Sequence, residues 1–242
     1  MTPIFLKETD STNQYLKTLL KKGALKDGDC VIATAQTAGK GQMGNGWLSE
    51  SGRSLTFSIY KEFASFPVQE QFKIAMSVSL AIQKVLSIYA DSVSIKWPND
   101  LIINGKKIGG VLIENKIKGT SLTAAMIGIG LNIFDFPMPD LPRASSLQAQ
   151  SKRSLEINAV LEMLLICLEQ ALEEIPLRSY QSYQYSYEKQ LFSRGVFKTF
   201  MSPYQGSFEA KILGVSHLGA LNLEKRDGSV ASYQLKEIAM QY

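Results

Sequence analysis

The dipeptide Asn104-Gly105 lies between two apolar segments, Leu101-Ile-Ile103 and Lys107-Ile-Gly-Gly-Val-Leu-Ile-Glu114, and more than any other feature it restricts the fold. A two-residue type I′ turn needs positive φ at both central positions, which Asn and Gly adopt readily. The stretch therefore predicts an antiparallel hairpin. Its neighbours VSIKW (93–97) and SLTAAMIGIGLNIF (121–134) have the apolar content of further strands.

Upstream, PIFLKE (3–8) reads as a short strand. Ser11-x-x-Gln14 is a capping-box pattern opening an amphipathic helix through Tyr15, Leu16, Leu19 and Leu20, ended by Gly23. DCVIATAQ (29–36) is strand-like, and SLTFSIYK (54–61) places Leu55, Phe57 and Ile59 on one face. Pro67 is expected to start a second helix reaching about Ala90, with a polar outer face. The proline-rich stretch 134–150 reads as loop, and LEINAVLEMLLICLEQALEE (155–174) as a long helix. Tyr180, Tyr183 and Tyr187 recur at helical spacing. From Gly195 the pattern becomes short strands with turns at Ser202-Pro203, 217–219 and 226–228, the signature of a small antiparallel barrel. A boundary is expected near 194, dividing the chain into 1–194 and 195–242. Phe5, Met126 and the helix aromatics are expected in the core, and His217 on the surface.

Composition bears on the chemistry. One His and two distant Cys supply no zinc-ligand spacing, and nothing near His217 resembles a nucleophile loop. Cys30 and Cys167 sit in apolar runs, as buried reduced thiols do. The net charge of +4 carries no Lys/Arg cluster, a weak nucleic-acid signal. No apolar run spans a membrane and the N-terminus has no signal-peptide pattern, so a cytoplasmic protein is expected.

Three segments carry candidate chemistry. Gly39-Lys-Gly-Gln-Met-Gly44 matches G-x-G-x-x-G, but Asn45-Gly46 and a strand pattern follow it where a dinucleotide site needs a helix. What remains is a loop rich in N–H groups with one cation, Lys40, and one aromatic, Trp47. It suits an anion beside a flat ring, or is a plain turn. In Lys96-Trp-Pro-Asn-Asp100 and the hairpin after it, Asp100 and Lys107 come near one another. With Gly109-Gly110 they suit a phosphate, a metal and a closely approaching ligand; otherwise Lys96 and Lys106 are solvated and the glycines form a bulge. Ser11-Thr12-Asn13 is explained by capping, or by a neutral polar ligand.

Together these motifs resemble the biotin protein ligase family. The matching order is Ser11-Thr12-Asn13, Gln36-Thr-Ala-Gly-Lys-Gly41, Trp47, Ser54-Leu55, Lys96-Trp-Pro-Asn-Asp100, Lys106-Lys107-Ile-Gly-Gly110 and Gly128-Ile-Gly-Leu-Asn132, spanning residues 3 to about 135. The resemblance implies an α/β (α+β) fold of the class II aminoacyl-tRNA synthetase/biotin ligase type. That fold is a mixed, mainly antiparallel sheet flanked by helices, with an SH3-like C-terminal barrel. It implies a monofunctional biotin–[acetyl-CoA-carboxylase] ligase without a DNA-binding domain, acting as monomer or homodimer. ATP and Mg²⁺ would activate biotin as biotinyl-5′-AMP, and a lysine of a biotin carboxyl carrier domain would take the biotin.

Carried over by residue, Lys107 and Asp100 are the catalytic candidates, with Asp100 also a possible Mg²⁺ ligand. Ser11, Thr12, Asn13, Gln36, Lys40, Gly41, Gln42, Lys107 and Gly110 would contact biotin. Gly39, Lys40, Trp47, Asn99 and Asn132 would contact the nucleotide. A common family loop reads G-R-G-R-R-G-R-x-W, and here its arginine positions hold Lys40, Gln42, Met43 and Asn45. Lysine is a point charge and glutamine is neutral, so weaker retention of the adenylate is expected unless Arg53 or Lys106 substitutes. Alternatives are a lipoate or octanoate ligase or transferase of the same fold, whose usual basic R-R-x-S-G-G-G loop is not seen here, and a non-catalytic carrier-binding module.

Overall fold

The structure, a computed structural model, describes residues 1–241; the side chain of Met43 and residue Tyr242 lie outside the described set. The chain opens with β1 (Thr2–Thr9), α1 (Thr12–Lys21) and β2 (Asp29–Gln36), the two strands pairing in parallel across the helix. Next come β3 (Ser54–Pro67), α2 (Phe72–Leu86), β4 (Val93–Lys96), β5 (Asp100–Ile103), β6 (Lys106–Lys118) and β7 (Ser121–Asn132). These strands form one seven-stranded sheet in the order β1-β2-β3-β7-β6-β5-β4, antiparallel in every pairing but the first. The hairpin is as expected, with φ of 50° at Asn104 and 76° at Gly105.

Helices cover both faces of the sheet. All residues from Ser54 to Tyr60 are buried, because Leu55, Phe57 and Ile59 face the main core while Thr56, Ser58 and Tyr60 lie on the opposite side, where α1 packs. A short helix, α3 (Leu147–Gln150), follows, capped by the Ser146 hydroxyl accepting from the Ala149 N–H at 3.1 Å. Then come α4 (Ile157–Glu174) and α5 (Tyr180–Lys189), both packed on α2. Tyr180, Tyr183 and Tyr187 are buried, as their spacing predicts. The C-terminal strands β8 (Phe197–Ser202), β9 (Gly206–Val215), β10 (Leu221–Lys225), β11 (Val230–Tyr233) and β12 (Ala239–Met240) form a second sheet in the order β11-β10-β9-β8-β12. Among the described residues β11 and β12 do not pair, so this order alone does not close a barrel.

Four local expectations are corrected. Pro67 ends β3 instead of opening a helix; a 3₁₀ turn (Val68–Glu70) intervenes before α2. The outer face of α2 is not solvated, since Lys73 to Ser79 are all buried under α4 and α5, with the Ser77 hydroxyl donating to the Ala171 carbonyl and Lys73 paired to Glu70. Phe5 is 69% exposed because β1 is an edge strand. Ser11 occupies the N-cap of α1, but its hydroxyl caps nothing; the side chain of Gln36 takes the first helical N–H instead. Met126 is buried, His217 is exposed, and both cysteines are free, with burial pushing the Cys30 thiol up to about 12.

Candidate active site

A cavity of about 750 Å³ lies between the two sheets. One wall is the start of α1 with Gln36, a second is the loop from Lys40 to Trp47, and a third is the turn 96–100 with Lys107 and Gly110 of β6. The second sheet supplies the last, largely apolar wall, including Phe200, Met201, Ile212 and Leu221.

The charged corner is made by a register shift. Asp100 pairs with Gly110 and Leu101 with Gly109, but Ile102 pairs with Lys107, so Ile108 is an extra residue in β6. Side chains alternate along a strand, and uninterrupted pairing would put Lys107 on the face opposite Asp100. The bulge returns it to the same face, where Lys107 Nζ lies 2.7 Å from Asp100 Oδ1. Gly110 leaves room for this pair, since a Cβ there would sit 3.1 Å from Asp100 Oδ1. A side chain at Gly109 would collide with Leu131 and the Gly130 carbonyl. Backbone bonds between Lys107 and the 143–145 segment hold the strand from outside.

Lys96 lies directly across β4–β5 from Asp100. Burial depresses its pKa below the ordinary 10.5, and Lys107 and Arg143 push the same way, while Asp100 opposes them. Among the described residues the cavity lining holds Lys40, Lys96, Lys107 and Lys236 against one carboxylate, Asp100, a surplus of three positive charges. Such a lining suits a polyanion. The turn that carries it is tied on every side: the Trp97 indole donates to the Gly219 carbonyl at 2.9 Å, the Tyr187 hydroxyl to the Pro98 carbonyl at 2.6 Å, and the Asn99 amide to the Val111 carbonyl. The Trp97–Pro98 peptide is cis.

The opposite corner is neutral. Ser11, Thr12 and Asn13 are buried at the cavity edge. Gln36 Oε1 accepts the Thr12 N–H at 2.8 Å and lies 3.1 Å from the Thr12 hydroxyl. Ser58 Oγ is 2.6 Å from both Thr12 Oγ1 and Asn13 Oδ1. Gly128 makes space for Asn13, whose side-chain oxygen a Cβ there would meet at 2.6 Å.

Between these corners, the glycine loop folds back on itself through Gly41 N–H to Asn45 O at 2.8 Å and Trp47 N–H to Gly39 O at 2.9 Å. The Trp47 ring rests on Gly130, where any side chain would overlap it, and its buried Nε1 has no hydrogen-bond partner.

Of the expected site residues, Lys107, Asp100, Ser11, Thr12, Asn13, Gln36, Lys40, Gly41, Gln42, Gly110, Trp47 and Asn99 line this one cavity. Gly39 and Asn132 do not line it. Asn132 donates to the Ser145 carbonyl at 3.2 Å, and its buried Oδ1 is unpartnered. Arg53 and Lys106 do not replace the loop arginines, because they bond the carbonyls of Asp135 and Pro142, away from the cavity. Lys96, Ser58 and the second-sheet wall were missed. Polar Thr56 and Ser58 alternating with Leu55, Phe57 and Ile59 were the available signal for Ser58. The wall has no signal in local sequence.

A mixed sheet carrying a cation-rich turn opposite a neutral polar pocket, with a tryptophan-bearing loop between them, suits a polyanion beside an uncharged polar group. The model of the biotin/lipoate A/B protein ligase family matches residues 5–132, more than half of the chain, and the chain belongs to that family. It is 28% identical over 207 residues to the bifunctional ligase/repressor BirA of Bacillus spizizenii, covering 84% of this chain and 63% of that protein. It is 30% identical over 166 residues to the biotin–[acetyl-CoA-carboxylase] ligase of Mycobacterium tuberculosis, covering 67% of this chain and 60% of that one. The chain thus spans less than two thirds of the length of these curated relatives. Among solved structures, the biotin protein ligase from Aquifex aeolicus in complex with biotin and ATP superposes with a TM-score of 0.79 at 25% identity, over 99% of this chain and 98% of that one.

Proposed function

We propose that this chain is an ATP-dependent biotin protein ligase, with residues 1–194 as the catalytic unit and 195–242 as an SH3-like barrel that closes the cavity. The observation that carries this reading is the Lys107–Asp100 pair, set by the Ile108 bulge at the charged end of a cavity whose other end is neutral. A carboxylate oxygen of biotin attacks the α-phosphorus of ATP, the bond to pyrophosphate breaks, and biotinyl-5′-AMP forms. A carrier-domain lysine then attacks the acyl carbon, and AMP leaves.

Two anions must meet in the first step, so cations fixed before they arrive lower its barrier. In this reading Lys107 bridges the biotin carboxylate and α-phosphate, Lys96 and Lys40 neutralise the remaining phosphate charge, and Asp100 orients Lys107. Ser11, Thr12, Asn13 and Gln36 bind the ureido ring, with Gly41, Gln42 and Gly110 close to biotin. Trp47 stacks on adenine, and Gly39, Asn99 and Asn132 support the nucleotide. Asp100, the one carboxylate lining the cavity among the described residues, fits Mg²⁺ held mainly by phosphates, where the ion would offset charge on the triphosphate. The partner is a biotin carboxyl carrier domain of a carboxylase, and the setting is the cytoplasm.

The neutral corner favours biotin over lipoate or octanoate, since an aliphatic tail leaves buried polar groups unpaired. Incubation with ATP, Mg²⁺, an acceptor domain and either biotin or lipoate tests this. Labelling with biotin is expected; labelling with lipoate alone would overturn the reading.

A further inference from the structure

The neutral corner is tied to a carboxylate outside the cavity. Asn13 donates through Nδ2 to Glu114 Oε2 at 2.9 Å, and the other oxygen of that carboxylate receives Lys17 Nζ at 2.6 Å. Glu114 does not line the cavity; it lies on β6 four residues beyond Gly110, and Lys17 lies one turn along α1 from Asn13.

An ionised carboxylate only accepts hydrogen bonds, so Asn13 must present its NH₂ to Glu114 and its Oδ1 to Ser58. Ser58 has a single hydroxyl proton. Because Asn13 Oδ1 accepts only, that proton goes to Asn13, and the 2.6 Å contact between Ser58 and Thr12 must use the proton of Thr12. Gln36 Oε1 then relies on the Thr12 N–H at 2.8 Å. That N–H can only donate, so it fixes the Gln36 amide with its oxygen on the helix and its nitrogen beside Gly39, where a Cβ would lie 3.0 Å from Nε2. One charge on β6 orders the donors and acceptors of three buried side chains in turn, Asn13, Ser58 and Thr12.

We propose that Glu114, held by Lys17, is a positioning residue that sets the donor–acceptor sense of the polar corner and so selects an acid bearing a cyclic urea. This inference rests on the biotin reading above and names what enforces it. A glutamine at 114 can offer either an oxygen or an NH₂ to Asn13. The chain of protons then has two directions, only one of which matches a urea carbonyl and its two N–H groups.

The test uses the full chain and measures steady-state adenylation with biotin and ATP varied separately. Glu114→Gln should raise KM for biotin about tenfold while KM for ATP and the maximal rate stay at parent values. Lys17→Met, which keeps the carboxylate, should raise KM for biotin by no more than about threefold. A Glu114→Gln variant with the parent's KM for biotin would overturn the proposal, as would a matching rise in KM for ATP, which marks a general structural role. A parent protein that forms no biotinyl adenylate would instead remove the functional reading, and this inference with it.

Discussion

The hairpin corner and the glycine loop line the same cavity but are held very differently. Lys107, Asp100 and Lys96 sit on paired strands, and the turn between them is fixed by bonds from Trp97, Tyr187 and Asn99 to three separate backbone carbonyls. The loop is closed by a few of its own backbone bonds and by a ring resting on a glycine, and it brings one cation, Lys40. A rigid sheet can keep charges in place before the substrate arrives, whereas a loop must order its side chains on binding. In the proposed reaction, therefore, catalytic charge belongs to the sheet, and the loop's part is retention of the adenylate.

Breaking the hairpin corner should have the largest effect. Asp100→Asn removes the partner that sets Lys107 and leaves Lys96 and Lys107 mutually repelling; adenylation should fall about a hundredfold in a single-turnover pyrophosphate assay. Unchanged turnover would show that Lys107 needs no orientation. Displacing the ring is next. Gly130→Ala puts a methyl into the Trp47 ring, and KM for ATP should rise roughly tenfold with KM for biotin unchanged, because stacking on a base is worth a few kcal/mol at most.

The pH dependence sharpens the same contrast. The pKa of Lys96 is lowered by burial, so its charge is lost on raising pH before that of an ordinary lysine at 10.5. KM for ATP should climb on the alkaline side from below that value, and Lys96→Arg, which stays charged, should abolish the climb. The sign for stability is opposite: the unfolded chain binds this proton more tightly, so the fold gains stability as pH rises through the window. The smallest effect concerns the loop. Gln42→Arg should slow release of labelled biotinyl-AMP by a few fold through a bidentate phosphate contact; an unchanged rate would remove retention from the loop's role.

Much of the seven-stranded sheet was legible because local chemistry decided it. Asn104-Gly105 admits one turn, and the 54–60 alternation needs a core on one face. Where local signals compete with tertiary packing, they misled. Ser11 has the composition of a capping residue, yet Gln36, 24 positions beyond Thr12 in sequence, takes the first helical N–H instead. Pro67 suits the first turn of a helix as well as the end of a strand, and here it ends β3 beyond the 56–59 stretch that pairs with β2. Phe5 looks like core until the strand order places β1 at the rim. The site motifs were readable as a set, but the Ile108 bulge that makes Lys107 face Asp100 is a property of pairing, and no residue in Lys-Ile-Gly-Gly announces which position is extra. The second-sheet wall and the Glu114–Asn13 contact join segments far apart in sequence, beyond any periodicity.

The most direct test of sheet-borne charge compares Lys107→Met with Lys40→Met in biotin-dependent exchange of labelled pyrophosphate into ATP. Both lysines line the cavity and both changes remove one charge. Lys107→Met should lose exchange by about 100- to 1000-fold, and Lys40→Met should keep it within about tenfold of the parent. Loss in Lys40→Met with exchange retained in Lys107→Met would place the catalytic charge on the loop and contradict the account.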